Sequence, residues 1–263
     1  MKNLLFLMLI VIFSPVYSAD KVDPLKIMRE VYQRKDAKTL IQDMEMTSVD
    51  KFGNKRVKKM KVYSKYYGKD KRQIMFFTSP SSVRNTAFLT YDYNDEAVKE
   101  DSQWIFLPKL KRIKRIAGSS KASSFMGSDF SYFDLTKPNL ENYVYKYLGE
   151  EEVNGILTWK IESIPKTSEI VQKFGYTKTI NTIAQDSYMI IKSIGFMKNG
   201  KTKYMNILNT YKNKNIWIID DMEMTTKREE KFLHKTTIKL RNIRLNPNIK
   251  DKTFTIRRLD KGV

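Results

Sequence analysis

The chain contains no cysteine. That excludes disulfides, thiolate metal sites and a cysteine nucleophile, and no cysteine is present to be acylated, so the protein is not itself a lipoprotein. Histidine is almost absent too: His234, between Leu233 and Lys235, is the single copy. A lone histidine without cysteine or patterned carboxylate partners makes no zinc site. No G-x-S-x-G elbow supports a serine–histidine pair, so the expectation for His234 is a surface position near the start of a strand. Walker loops and dinucleotide fingerprints are missing as well. Glu150-Glu151-Glu152 precedes a turn, where water reaches it, and Asp220-Asp221 has no acid–base partner in the sequence. The expectation is a protein without enzymatic activity, cofactor or metal.

Apolar runs long enough to cross a bilayer are also missing. The longest, Leu4–Phe13, falls well short of the ~20 residues that a spanning helix needs. Lys2 stands before it and Pro15-Val16-Tyr17-Ser18-Ala19 after it, so Met1 to Ala19 reads as a secretory signal peptide. Cleavage is expected after Ser18, with Ala19 as the runner-up; an uncleaved anchor is the alternative. Residues 19–263 then form a single domain, exported to the periplasm and long enough for one large β fold.

Acidic residues are few: 29 Asp and Glu stand against 49 Lys and Arg, for a formal charge of +20. A basic chain suggests nucleic acid, but export argues against that partner. Two readings of the charge remain, a lysine- and asparagine-rich composition from an AT-rich genome and a preference for anionic lipid surfaces or head groups.

One helix and many strands can be read. Asp23-Pro24 starts a helix to about Lys35, with Leu25, Met28, Val31 and Tyr32 on one face. Strands follow over Leu40–Val49, Arg56–Tyr66, Arg72–Thr78, Thr86–Tyr93 and Gln103–Leu107. In the second half they cover Tyr143–Gly149, Ile156–Ser163, Tyr188–Met197, Lys203–Tyr211, Ile216–Thr226 and Phe232–Arg244, with a short final strand over Thr253–Ile256. Asn154-Gly155 is the strongest hairpin signal. Each proline sits between strands or beside a helix. Regular spacing and short turns predict an antiparallel meander curling toward a barrel. Asp-Met-Glu-Met-Thr occurs at Asp43–Thr47 and again at Asp221–Thr225, which puts the Met side chains of both strands on one face. Flexible Met suits a pocket for variable acyl chains, or plain core filling.

The most informative stretch runs from Gln103 to Leu135. Trp104-Ile105-Phe106-Leu107 ends at Pro108, and a basic run follows, with Lys109, Lys111, Arg112, Lys114 and Arg115. Small residues then lead to Phe125-Met126-Gly127-Ser128-Asp129-Phe130-Ser131-Tyr132-Phe133. The order W-x-F-L-P, K-R-x-x-R-I, S-F-M-G-S-D-F-S-Y-x-D-L resembles exported bacterial outer-membrane lipoprotein-sorting proteins, grouped with the LolA/LolB-like carriers. The resemblance runs from about Lys71 to Leu259, and more loosely over the first helix and strands. It implies a mainly β fold, an incomplete antiparallel β-barrel (a curved sheet) with a few covering helices, LolA/LolB-like, around an apolar cavity. The sequence departs at Phe133, where the pattern has an acidic residue; Asp129 and Asp134 remain as the only carboxylates of this flap.

The resulting expectation is a periplasmic carrier or chaperone that moves lipid or lipidated protein between the inner and outer membranes. Its partners would be acyl chains, an inner-membrane transporter and an outer-membrane acceptor, with transient contact to a membrane surface and no nucleic acid. Alternatives are an accessory lipid-binding subunit of a resistance-nodulation-division-type exporter, and an envelope ligand-binding or structural protein. Trp104, Phe106, Phe125, Met126, Phe130 and Tyr132 are expected to line or cover the cavity, or else to be plain core. Read as a strand, Lys109, Lys111 and Ile113 would share one face, and Leu110, Arg112 and Lys114 the other. Charge on both faces places the run at a rim or an edge, beside the cavity mouth, where Lys111, Arg112, Lys114 and Arg115 would meet anionic head groups or a membrane. A solvated strand face is the structural alternative.

Overall fold

Asp23 caps the first helix, its carboxylate accepting the backbone N–H groups of Leu25 (2.9 Å) and Lys26 (3.2 Å). Pro24 suits the first turn because its missing N–H would have no helical partner there. The computed structural model describes residues 22–94 and 99–262; the leader and its cleavage site lie outside the described residues. Helix α1 covers Pro24–Gln33. Among the described residues, thirteen strands follow in one antiparallel sheet. The first six are β1 Thr39–Asp50, β2 Lys55–Tyr67, β3 Asp70–Ser79, β4 Ala87–Asp92, β5 Ser102–Leu107 and β6 Arg112–Arg115. The other seven are β7 Tyr143–Val153, β8 Ile156–Pro165, β9 Tyr176–Ala184, β10 Ile190–Met197, β11 Lys201–Asn213, β12 Ile216–Arg228 and β13 Lys231–Leu245, with helix α2, Ser168–Phe174, before β9.

The strand order is β6-β5-β4-β3-β2-β1-β13-β12-β11-β10-β9-β8-β7. Two meanders thus meet at β1 and β13, which pair from Leu40–Leu245 to Asp50–His234. The sheet curves without closing, and β6 and β7 are its free edges. Turn chemistry sets the hairpins. Asn154 and Gly155 both have positive φ (52° and 80°), which a two-residue hairpin turn with the strands' own twist demands.

Alternation then sorts side chains to two faces. Met46, Ile238 and Met222 stand side by side across β1, β13 and β12, and together with Met44 and Met224 they belong to one apolar cluster on the concave face. Both Asp-Met-Glu-Met-Thr strands therefore present Met inward. Their carboxylates point outward into cross-strand ion pairs, Asp43–Lys61, Glu45–Lys59 and Glu223–Lys235, each at 3.3 Å. Helix α1 lies on the concave side, with Ile27 and Met28 against Ile161 and Ile183.

The C-terminus differs from expectation. Thr253–Ile256 is no strand; two 3-10 turns, Asp251–Phe254 and Ile256–Lys261, occupy the region. No sheet edge is available there, whereas the convex face of β3–β5 offers Ile74, Phe76 and Leu89. Phe254 and Leu259 plug that surface and are fully buried, and Tyr91 Oη donates to the Phe254 carbonyl (2.7 Å). Also unread in the sequence were β9 and α2. Thr167 caps α2 by accepting from Ile170 N–H (3.3 Å), and Gly175, at φ 86°, ends it. If the C-terminal turns hold the convex face, Phe254→Ala or Leu259→Ala should each cost about 3 kcal/mol. Urea unfolding measures this, and a loss below about 1 kcal/mol for both would show that the turns are dispensable.

Candidate functional site

The sequence places β6 directly before β7, yet these strands are opposite edges of the sheet. Residues 116–142 must therefore cross the open, concave side. This is the aromatic flap read in the sequence, and buried polar bonds pin it. Asp129 accepts the hydroxyls of Thr226 (2.5 Å) and Thr236 (2.6 Å) and forms a close hydrogen bond with His234 Nδ1. Thr236 spends its only hydroxyl proton on Asp129, so Ser48 must be the donor in the 3.0 Å Ser48–Thr236 bond. The surface expectation for His234 is corrected: it is half-buried on β13, and its Nδ1 faces Asp129.

Asp134 is the second pin. Its carboxylate accepts from Tyr176 Oη (2.8 Å), Lys203 Nζ (3.2 Å) and Ser131 N–H (2.7 Å), tying the flap to β9 and β11. Burial pushes the Tyr176 phenol well above its ordinary pKa, and the neighbouring Asp134 charge adds to the effect. Gly195 makes room for that ring, since a Cβ there would come within 2.5 Å of it. Phe133, in place of the acidic residue, stacks on Phe174 of α2 with ring centroids 4.1 Å apart.

Beneath the flap lies a cavity of about 480 Å3 bounded by α1 and the concave sheet. Its wall is apolar toward Met205, Ile207, Met222 and Met224, and polar toward Ser163, Thr179, Asn181 and Ser193. At the rim, Lys71 pairs with Asp36 (3.4 Å), and Tyr66 Oη donates to the same carboxylate (3.1 Å). Burial works against both charges, but their mutual attraction prevails: Asp36 is held below the carboxylate range and Lys71 above the lysine range. Burial also lifts the Tyr66 phenol to about 12.

A family model described as an uncharacterized protein matches residues 69–261. Solved structures extend the likeness over more of the chain. A DUF1329 family protein from Desulfovibrio piger superposes with a TM-score of 0.80 at 26% identity, covering 90% of this chain and 100% of its own. A protein domain from Vibrio parahaemolyticus named for outer-membrane lipoprotein sorting gives 0.80 and 26%, covering 90% and 98%. The chain belongs to the family that this model describes. A LolA superfamily protein from Nitrosomonas europaea shares the fold at a TM-score of 0.66 and 15% identity, covering 90% of this chain and 99% of its own. No protein with a curated description matches the chain.

The LolA-like frame separates the residues singled out in the sequence. Phe130 borders the cavity. Phe125, Met126 and Tyr132 pack beneath the flap with Phe77, Phe88 and Ile105. Trp104 and Phe106 point to the other face, against the C-terminal plug, so the structure does not bring them to the cavity. The basic run is corrected in detail. Pro108–Leu110 is a 3-10 turn, Lys111 is left-handed (φ 46°), and the strand begins only at Arg112. Lys111, Arg112, Lys114 and Arg115 are all exposed at a sheet edge, and none of the four borders the cavity. The sequence reading missed Lys203, Tyr176 and the Lys71–Asp36 pair; only the flap's two carboxylates, left over in an apolar segment, signalled the pins.

One buried acid near the flap's end makes stability depend on pH. Asp92 accepts the Lys137 N–H (3.2 Å), and burial, reinforced by Asp101, pushes its carboxyl up to about 7. The folded chain keeps a proton there that the unfolded chain has lost, so this group's contribution to stability falls as pH rises from about 4 to about 7 and is flat above. Asp92→Asn, which still accepts from Lys137, should flatten the slope and raise the melting temperature at pH 8. A wild-type pH profile unchanged in the variant would refute this.

Proposed function

We propose that this LolA-like protein is a periplasmic carrier that holds the acyl chains of a lipid or lipidated protein in the concave cavity and moves them between the inner and outer membranes. The observation that carries the reading is an unfilled, Met-walled space under a pinned flap. Its volume, about 480 Å3, lies within the ~300–1,000 Å3 typical of ligand pockets. Long, unbranched Met side chains adapt to chains of differing length and saturation. The two structural relatives at 26% identity share the whole fold, and one is named for lipoprotein sorting. Phe130 contacts the cargo in this reading, while Phe125, Met126 and Tyr132 keep the flap seated. Among the described residues, no helix is long and apolar enough to cross a membrane.

Native mass spectrometry with lipid extraction on protein purified from its host should find acyl-bearing cargo. Met205→Trp with Met222→Trp fills the cavity and should lower affinity for a fluorescent acyl probe about tenfold, while circular dichroism shows the fold retained. A folded, filled variant that binds as wild type would place acyl chains elsewhere.

The same reading assigns membrane contact to the cationic edge. Leu110, an exposed apolar tip, is flanked by Lys109 and Lys111 and followed by Arg112, Lys114 and Arg115. Each cation near an anionic bilayer contributes about 1 kcal/mol, screened by salt. Changing Lys111, Arg112, Lys114 and Arg115 together to Gln should reduce binding to anionic liposomes, most visibly at low salt, with neutral amphiphiles hardly affected. Equal effects on both ligands, or none, would leave the edge as solvated surface only.

A further inference from the structure

The flap separates two spaces of opposite chemistry. Phe130, Phe133, Asp134, Thr136 and Lys137 face the apolar cavity, whereas Ser124, Gly127, Ser128 and Asp129 face a second chamber of about 410 Å3. It lies at the end of the sheet where the β1–β2 and β10–β11 turns gather, and Lys203 borders both spaces.

The polar side chains of this second chamber can be accounted for one by one. Asp50 is committed to its own turn, accepting from Phe52 N–H (2.9 Å), Asn54 N–H (3.0 Å) and the Asn54 amide (2.9 Å). Asp129 is filled by Thr226, Thr236 and His234. Ser124 and Ser128 donate to flap carbonyls, at 2.5 and 2.7 Å. Lys203 is held by Asp134. The exceptions are Arg56 and Lys201. Both line the chamber, and among the described residues neither side chain makes a hydrogen bond or an ion pair. The Asn199 amide beside them is also uncommitted as a donor, its oxygen taking the Lys201 N–H (3.2 Å).

A guanidinium, an ammonium and an amide donor converging on one polar space suit an anion with several acceptor oxygens. A guanidinium fork matches two oxygens of a tetrahedral phosphate, and a lysine adds a compact charge to a third. We propose that this chamber is a phosphate-binding site, with Arg56 and Lys201 as its principal ligands. The phosphate could be a free anion or the head group of a lipid whose chains enter the adjoining cavity. The site does not depend on the carrier reading, because inorganic phosphate should bind even if no acyl chain does.

The test is calorimetric titration of the mature chain at fixed ionic strength with inorganic phosphate, with a short-chain phosphatidic acid and with the matching neutral diacylglycerol. Phosphate should bind saturably at one site. Arg56→Gln with Lys201→Gln should weaken it about tenfold or more, while Lys212→Gln with Lys214→Gln, which removes the same charge elsewhere, should not. Thermal melts confirm that both variants fold. Much tighter binding of phosphatidic acid than of phosphate identifies a head-group site; equal affinities identify a site for the free anion. Failure of diacylglycerol alone would count against the carrier reading and leave this site standing. Non-saturable phosphate binding, or equal losses in the two double variants, would overturn the proposal.

Discussion

Because β6 and β7 are consecutive in sequence but lie at opposite edges of one sheet, a single segment must travel across the concave side. Ordering that crossing costs about 1–2 kcal/mol of backbone entropy per residue, and a loop with little regular structure has few backbone bonds to offset it. The flap meets the cost at a few points. Phe125 and Tyr132 bury against Phe77 and Phe88, and Asp129 and Asp134 reach the far strands. A buried carboxylate is tolerated only when its oxygens are satisfied. Each pin therefore fixes position as well as energy: shifting the flap by one residue would strand a charge in a dry site. Removing either partner of a buried pair is costly, so the pins specify where the flap lies more than they raise net stability.

A flap held at points differs from a plug packed throughout, and this explains the unfilled space beneath it. An apolar wall without neighbours forfeits dispersion contacts, so a fold selected only for stability would fill it. The C-terminal turns show what filling looks like in this chain. Phe254 and Leu259 cover the convex face of β3–β5 until no space remains. The two faces of one sheet thus solve the same burial problem in opposite ways. On the concave face, in the proposed carrier reading, the remaining contact is left to a ligand.

Much of this was legible in the sequence, for identifiable reasons. Alternation and turn residues gave eleven strands, and Asn154-Gly155 gave its hairpin outright, because these signals are local. The inward Met of both Asp-Met-Glu-Met-Thr strands followed from the same period of two. Long-range choices were not legible. Thr253–Ile256 alternates like a strand, but only the strand order shows that the chain leaves β13 in the middle of the sheet, away from the free edges β6 and β7. Trp104 and Phe106 were correctly placed on one face of β5; which face looks toward the cavity depends on the sheet's curvature. His234 looked like surface because its partner, Asp129, lies about a hundred residues away in sequence. Lys203 and Tyr176 were missed for the same reason: each is unremarkable until the flap sets Asp134 over it.

The same edges explain why the sheet stays open. Closing the barrel would require β6 to pair with β7 along their unpaired backbone groups. Strand β6 has four residues, all exposed and three of them cationic, against eleven in β7. Pairing would satisfy only a short part of β7, and charge on both faces of β6 is the usual protection against edge-to-edge association. β7 is also irregular, since its register with β8 shifts between Tyr147 and Gly149, and bulges of this kind twist an edge away from a partner. The crossing segment lies between the two edges in any case. The open side is therefore fixed by chain order and edge chemistry together, and this opening is what lets the flap stand between an apolar cavity and a polar chamber.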